Sequence, residues 1–215
     1  MTIKEIIFDC DGVILDSNKA YEHVFEKLCK KYKVRTSRKE IYSHFGEHPK
    51  KILQELFQKD NINEVYKEYV KIIGTRNFIR HIKIIPKAKK TIIKLKKDYK
   101  LVLASGAIKK SLIPALRKFN LEKYFDFIIT SDDVKISKPN PEIIIKAMKL
   151  CKTKRNETIY VGDSPNDIMA AKRAHVKIIT VLTGVLNKKE AKKLKSDFIV
   201  KNIGEIYNFV KSLKI

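Results

Sequence analysis

Hydrophobic residues follow two rhythms along the chain, and the change of rhythm divides it. Residues 4–8 (Lys-Glu-Ile-Ile-Phe) form a short apolar run that stops at Asp9-Cys10-Asp11-Gly12, which predicts a buried strand ending in a loop. From Ser17 to about His81 the rhythm is helical. Tyr21, Val24, Phe25 and Leu28 recur at spacings of three and four, and so do Ile52, Leu53, Leu56 and Phe57. No strand pattern interrupts this stretch, so it predicts a helical bundle of its own.

After Pro86 short apolar runs alternate with helical patterns. Strands are predicted at 101–104, 126–130, 158–162, 177–182 and 197–200, and helices at 87–97, 109–119, 140–151, 164–174, 187–195 and 203–213. This alternation implies a parallel sheet covered on both faces, with right-handed crossovers. The expected fold is an α/β core with a Rossmann-like parallel sheet, formed by 1–16 and 84–215. A helical domain of residues 17–83 interrupts it after the first strand.

Composition changes this picture little. The chain has 215 residues with 44% hydrophobic content, enough for a sizeable core and against intrinsic disorder. Cys10, Cys29 and Cys151 are odd in number and widely spaced, which suggests neither a disulfide framework nor a zinc site. Without a signal-peptide pattern or an apolar run of spanning length, a soluble cytoplasmic protein with no membrane partner is expected. Charge is the unusual feature: 47 basic against 24 acidic residues give a net charge of +23. Such an excess invites a nucleic-acid reading. Only seven of the basic residues are Arg, however, and the excess is spread evenly, with 16 basic and 8 acidic groups in 17–83. A solvated, lysine-rich surface is therefore favoured over a nucleic-acid partner.

In an open parallel sheet, ligands sit at the carboxyl ends of the strands. The predicted strand ends carry Asp9 and Asp11, then Ser105-Gly106, then Ser131-Asp132-Asp133 with Lys138 beyond, then Gly162-Asp163-Ser164 with Asp167 four residues on. Convergent carboxylates call for a hard divalent cation, and Mg2+ favours a few carboxylates plus water and phosphate oxygens. Lys138, the Ser105 hydroxyl and loop N–H groups could hold a phosphate. A carboxylate can then attack phosphorus while a second one handles protons. The set suits phosphoryl transfer.

These residues also resemble a known family. Ile6-Ile7-Phe8-Asp9-Cys10-Asp11-Gly12-Val13 is similar to the first motif of the haloacid dehalogenase-like hydrolases, and Ser105 to the second. Lys138-Pro139-Asn140-Pro141-Glu142 resembles the third motif, and Val161-Gly162-Asp163-Ser164-Pro165-Asn166-Asp167 the fourth. The resemblance implies that Asp9 is the nucleophile and Asp11 the general acid/base. It implies that Mg2+ is held by Asp9, the Asp11 carbonyl and Asp163, with Asp167 supporting its water shell. Ser105, Gly106 and Lys138 would bind the phosphoryl group. The second Asp disfavours a haloacid substrate. The position of the helical insert is similar to that of the cap in the phosphoglycolate phosphatase and β-phosphoglucomutase branch.

Some neighbours have blander readings. Ser17 suits the N-cap of the first insert helix, Cys10 a small buried residue, and Asp132 and Asp133 either orient Lys138 or begin a loop. Gly46-Glu47-His48-Pro49-Lys50 has the polarity of a substrate-reading loop, while Arg76, Arg80 and His81 suit a solvated basic face. The expected activity is Mg2+-dependent hydrolysis of a small phosphorylated metabolite, of phosphoglycolate or sugar-phosphate type, by a monomer or homodimer. A phosphosugar mutase is the alternative, and a nucleic-acid-binding protein on a hydrolase-like fold a further one.

Overall fold

The computed structural model describes residues 2–57 and 62–213. The chain opens with strand β1 (Glu5–Phe8) and the short β2 (Leu15–Asp16). Five helices follow: α1 (Asn18–Tyr32), α2 (Arg38–Ser43), α3 (Pro49–Phe57), α4 (Ile62–Ile73) and α5 (Arg76–His81). The short β3 (Lys83–Ile84) then pairs antiparallel with β2, Asp16 facing Lys83, so the helical insert leaves and returns through one two-stranded ladder. That ladder has no counterpart in the apolar pattern, because two-residue strands are too short to alternate.

The rest alternates as expected. In order come α6 (Ala88–Leu95), β4 (Lys100–Ala104), α7 (Lys109–Lys118), β5 (Phe127–Ile129), α8 (Glu142–Cys151), β6 (Thr158–Gly162), α9 (Pro165–Ala174), β7 (Lys177–Val181), α10 (Lys188–Lys193), β8 (Phe198–Val200) and α11 (Ile206–Ser212). The six longer strands make one parallel sheet in the order β5-β4-β1-β6-β7-β8. The final predicted helix differs at its start, where Ile203–Glu205 is a single 3-10 turn capped by Asn202.

Alternation along the strands sorts the core into two layers. Ile6, Phe8, Leu101, Leu103, Ile159, Val161 and Ile179 face one side, and their apolar cluster continues into the insert through Val13, Leu15, Val24 and Phe25. Ile7, Val102, Ala104, Tyr160 and Ile178 face the other, under Ile144, Ala147, Ile168 and Ala171 of α8 and α9. β1 lies centrally, and the chain order of the strands reverses beside it. The crevice of a doubly wound sheet opens at such a point. Asp9 follows β1 there. No described helix is long and apolar enough to cross a membrane.

Candidate active site

The loop after β1 turns sharply. Val13 and Ile14 return their N–H groups to the Cys10 carbonyl, and Gly12 sits at φ +75°, where a side chain is strained. Space also demands glycine here, since an added Cβ would stand 2.3 Å from Asp163 Oδ2. Asp9 is buried, its N–H bound to the Val161 carbonyl at 2.8 Å. Asp11 accepts a hydrogen bond from the Ser17 hydroxyl. This corrects the capping role expected of Ser17. It occupies the N-cap position of α1 with helical backbone angles, and its side chain serves Asp11 instead of the helix.

Lys138 is the centre of the site and is only 1% exposed. Its Nζ donates to Asp167 Oδ1 at 2.6 Å, to Asp9 Oδ1 at 2.9 Å and to the Tyr160 hydroxyl at 3.2 Å. Burial alone would lower the ammonium, but the charges of Asp167 and Asp9 hold it well above the ordinary lysine value. Asp132 and Asp133, expected either to orient Lys138 or to begin a loop, are not among its hydrogen-bond partners. Asp132 accepts from the Lys109 N–H, and Asp133 from Thr130 and the Lys109 ammonium. Asp133 caps the turn after β5 through Thr130, and both acids reach across to Lys109 at the start of α7.

The fourth strand-end group splits into two unlike carboxylates. Asp167 lies at the third position of α9. It forms a reciprocal cap with Ser164, whose Oγ accepts from the Asp167 N–H at 3.2 Å while Asp167 Oδ2 accepts from Ser164 N at 3.0 Å. The Tyr160 hydroxyl adds a bond at 2.8 Å. Burial pushes Asp167 up, yet Lys138 and these donors hold it below the ordinary carboxylate range. Among the described residues the Asp163 carboxylate has one donor, the Val185 N–H at 2.9 Å, and burial beside Asp167 and Asp9 pushes it well above that range. Asp9 is pushed up to about 7, by burial first and by Asp167 and Asp11 after it, with Lys138 opposing. Burial likewise raises Asp11.

One oxygen from each of Asp9, Asp163 and Asp167 lies within 4.8 Å of the others. A single ammonium serves this set, which leaves an uncompensated negative charge, and every donor atom is an oxygen. The residues therefore fit a hard divalent cation. Gly184, in the loop after β7, walls the site: a Cβ there would stand 1.7 Å from Asp163 Oδ2.

Beside these groups is a cavity of about 50 Å³, lined by Asp9, Asp11 and Asp163 on the sheet side and by Tyr21, Phe45 and Glu47 on the insert side. Gly106 lines it too. Ser105 is fully buried beneath, its Oγ accepting from the Ala107 N–H at 3.1 Å. The insert reaches the sheet edge at Gly46, whose carbonyl would lie 2.3 Å from a Cβ at Gly106, and through Asn166, which donates to the Phe45 carbonyl at 3.0 Å. Of the loop residues expected to face substrate, Gly46 and Glu47 line the cavity. His48 and Lys50 do not. The His48 ring lies against Tyr66, and Lys50 sits over the same ring at 6.0 Å. Arg76 and Arg80 are exposed on α5, away from the cavity.

The sequence reading gives no role of their own to Tyr160, Gly184 or Asn166, although Asn166 stands within the fourth motif. A signal existed for Tyr160. A phenol in an otherwise aliphatic buried strand must find a polar partner, and its position faces the layer beneath Lys138. Gly184 and Asn166 are identified only by what the fold brings beside them.

Comparisons with known proteins agree with this geometry. The family described as haloacid dehalogenase-like hydrolase matches residues 6–181. A protein named "Putative pyrophosphatase PpaX" from Caldanaerobacter subterraneus subsp. tengcongensis is 31% identical, over 98% of this chain and 96% of that protein. The pyrophosphatase PpaX of Halalkalibacterium halodurans is 27% identical, over 98% of each. The crystal structure of a predicted phosphatase from Clostridium acetobutylicum superposes with a TM-score of 0.88 at 22% identity, covering 99% of this chain and 100% of that one.

Proposed function

The chain belongs to the haloacid dehalogenase-like hydrolase family, and we propose that it is a Mg2+-dependent phosphatase working through a phosphorylated Asp9. In this reading an Asp9 oxygen attacks the phosphorus of a small phosphorylated substrate and the bond to the leaving oxygen breaks. Asp11 gives that oxygen its proton. Asp11 then takes a proton from water, the water oxygen attacks the aspartyl-phosphate, and phosphate and free Asp9 are regenerated. Asp9, the Asp11 carbonyl and Asp163 would hold the cation, which supplies positive charge to the phosphoryl oxygens when bound.

Burial and protonation fit these roles. A carboxyl pushed up to about 7 is a poor nucleophile when protonated, and Lys138 keeps Asp9 toward its ionised form. Burial raises Asp11, which favours its holding a proton, while the Ser17 hydroxyl bound to it opposes that rise. Asp167 anchors Lys138 through its short bond and supports the cation's surroundings from behind. Gly106 and the loop N–H groups after Ser105 would receive the phosphoryl oxygens. Residues 17–83 would act as a cap over a core of 1–16 and 84–215, moving about the Asp16–Lys83 ladder and excluding water when closed.

The observation that carries this reading is Lys138, buried and hydrogen-bonded to Asp9 at the end of the central strand. Names of the relatives add pyrophosphate to phosphoglycolate and sugar phosphates as substrates to try. The decisive experiment measures phosphate release from such a panel, with and without Mg2+, for the wild type and for Asp9→Asn. Undiminished Mg2+-dependent release by Asp9→Asn sinks the assignment. Conversion of a sugar 1-phosphate into its 6-phosphate without phosphate release identifies a mutase instead.

A further inference from the structure

We propose that Tyr160 is a positioning residue for the nucleophile: its hydroxyl takes one ammonium proton of Lys138 and gives its own proton to Asp167, which keeps the ammonium aimed at Asp9. This rests on the phosphatase reading above, in which Asp9 attacks phosphorus, and adds a group behind the reacting atoms.

Proton inventory leaves one arrangement. An ammonium has three protons and no lone pair. Lys138 Nζ lies 2.6 Å from Asp167 Oδ1, 2.9 Å from Asp9 Oδ1 and 3.2 Å from the Tyr160 hydroxyl, so three acceptors meet three protons. Tyr160 can only accept from Lys138, because the ammonium offers nothing to accept with. Its own proton is left for Asp167 Oδ1, 2.8 Å away. Lys138, Tyr160 and Asp167 therefore close a triangle, and the remaining N–H of Lys138 points out of it to Asp9. The triangle is tied to the backbone through Asp167. Its other oxygen accepts from the N–H groups of Asp163 at 3.2 Å and Ser164 at 3.0 Å, and from the Ser164 hydroxyl at 2.6 Å. With both oxygens engaged, that carboxylate gives the ammonium a fixed seat.

The core itself has no need of the hydroxyl. Tyr160 is fully buried on β6, in the layer with Ile7, Val102, Ile168 and Ala171, where a phenyl ring would fill the same space. A buried hydroxyl costs free energy unless it is bonded, and its hydrogen-bond partners among the described residues are Lys138 and Asp167. Neither Tyr160 nor Lys138 lines the cavity, so the hydroxyl reaches substrate only through Asp9. Without it, one ammonium proton loses its acceptor and Asp167 loses a donor. The ammonium turns to satisfy that proton, and Asp9 loses the partner that orients it. Lys138 Nζ also lies 5.9 Å from the centre of the Tyr160 ring, a contact that a phenylalanine keeps. Tyr160→Phe thus removes the hydroxyl alone.

The test compares the purified wild type with Tyr160→Phe, using p-nitrophenyl phosphate and the fastest-cleaved substrate of the panel above, with Mg2+. In the variant kcat should fall about tenfold or more, the equivalent of one hydrogen bond to a charged group, while KM changes less than about twofold and circular dichroism stays native. NMR of 15N-labelled lysine ammonium groups should show Lys138 exchanging its protons with water faster in the variant. An unchanged kcat overturns the proposal, as does a rise in KM at constant kcat, which would make Tyr160 a substrate-binding group. Slower turnover with unaltered Lys138 exchange overturns it too. All three outcomes leave the phosphatase reading standing. Release of no phosphate by the wild type from any substrate defeats that reading and this proposal with it. Should Tyr160→Phe fail to fold, the wild type decides by NMR: a through-space contact between the Tyr160 hydroxyl proton and the Lys138 ammonium supports the assignment, and its absence overturns it.

Discussion

The sheet-edge wall of the cavity carries Asp9, Asp11 and Asp163, whereas the insert wall opposite is mostly Tyr21, Phe25, Phe45 and Tyr69 with the one carboxylate Glu47. On the sheet side, backbone amides and fixed partners orient the charges: Val185 N–H for Asp163, Ser17 for Asp11, and Lys138 for Asp9. On the insert side, contact with the core near the site comes through Asn166 bonded to Phe45 and through Gly46 over Gly106. Charged chemistry needs groups held rigidly before substrate arrives, because reorganising dipoles during reaction is costly. An apolar wall needs only shape, so it can move and still work.

The two walls should respond differently to mutation. The largest effect is expected at Lys138→Met, which strands Asp9 and Asp167 as buried carboxylates without their cation. Removing one partner of a buried ion pair costs about 3–5 kcal/mol, and urea denaturation should show it together with loss of activity. A stability loss under 1 kcal/mol would mean the carboxylates simply protonate and the sheet edge is less tightly coupled than its geometry implies. Next comes Gly184→Ala. Its Cβ would collide with Asp163, 1.7 Å from Oδ2, and a displacement near 1 Å costs about a hundredfold in rate. Its Mg2+ concentration dependence should shift upward while circular dichroism stays native.

Asn166→Ala probes the insert side. It removes one bridge to Phe45 and should raise KM by about threefold to tenfold, the equivalent of one hydrogen bond, with little change in thermal stability. A large fall in kcat at unchanged KM would break the distinction between the walls. The smallest effect is expected away from both, at Asp126. Burial pushes its carboxyl up, but Lys96 and the Leu101 N–H prevail and hold it below the ordinary value. Its contribution is therefore complete above the unfolded-state value and disappears as pH falls through the folded one. Asp126→Asn should lower Tm slightly at pH 6, reflecting a stability loss of less than about 1 kcal/mol for so exposed a pair. That difference should shrink as pH falls below the ordinary aspartate value and vanish below the folded one.

Much of this molecule can be read along the chain. Buried parallel strands demand unbroken apolar runs, and polar residues that end such runs must stand at the sheet's edge; that is how Asp9, Ser105 and Asp163 reveal themselves without coordinates. Helical spacing likewise exposes the insert through Val24, Phe25, Leu28 and Leu53, all buried in the fold. Other details escape because their cause is not local. Ser17 has the residue type of a cap, and only the turn that brings Asp11 beside it turns its hydroxyl away from the helix.

Asp163 and Asp167 show where local reading stops. Both are acids on one strand-to-helix turn, four positions apart, and their sequence surroundings predict that they lie near each other. Their opposite protonation tendencies come from their surroundings: Lys138, Ser164 and Tyr160 hold Asp167 down, whereas burial beside Asp167 and Asp9 raises Asp163 and the Val185 N–H only partly opposes it. By itself, then, the sequence determined the strand ends, the order of the reactive groups and the presence of a helical insert, because periodicity and turn chemistry act over a few residues. Only the tertiary structure decided which carboxylate is paired with Lys138, which has a backbone N–H alone among the described residues, and that Glu47 lines the cavity. Burial and charge are properties of the space around a group, and that space is filled by residues the chain brings in from elsewhere.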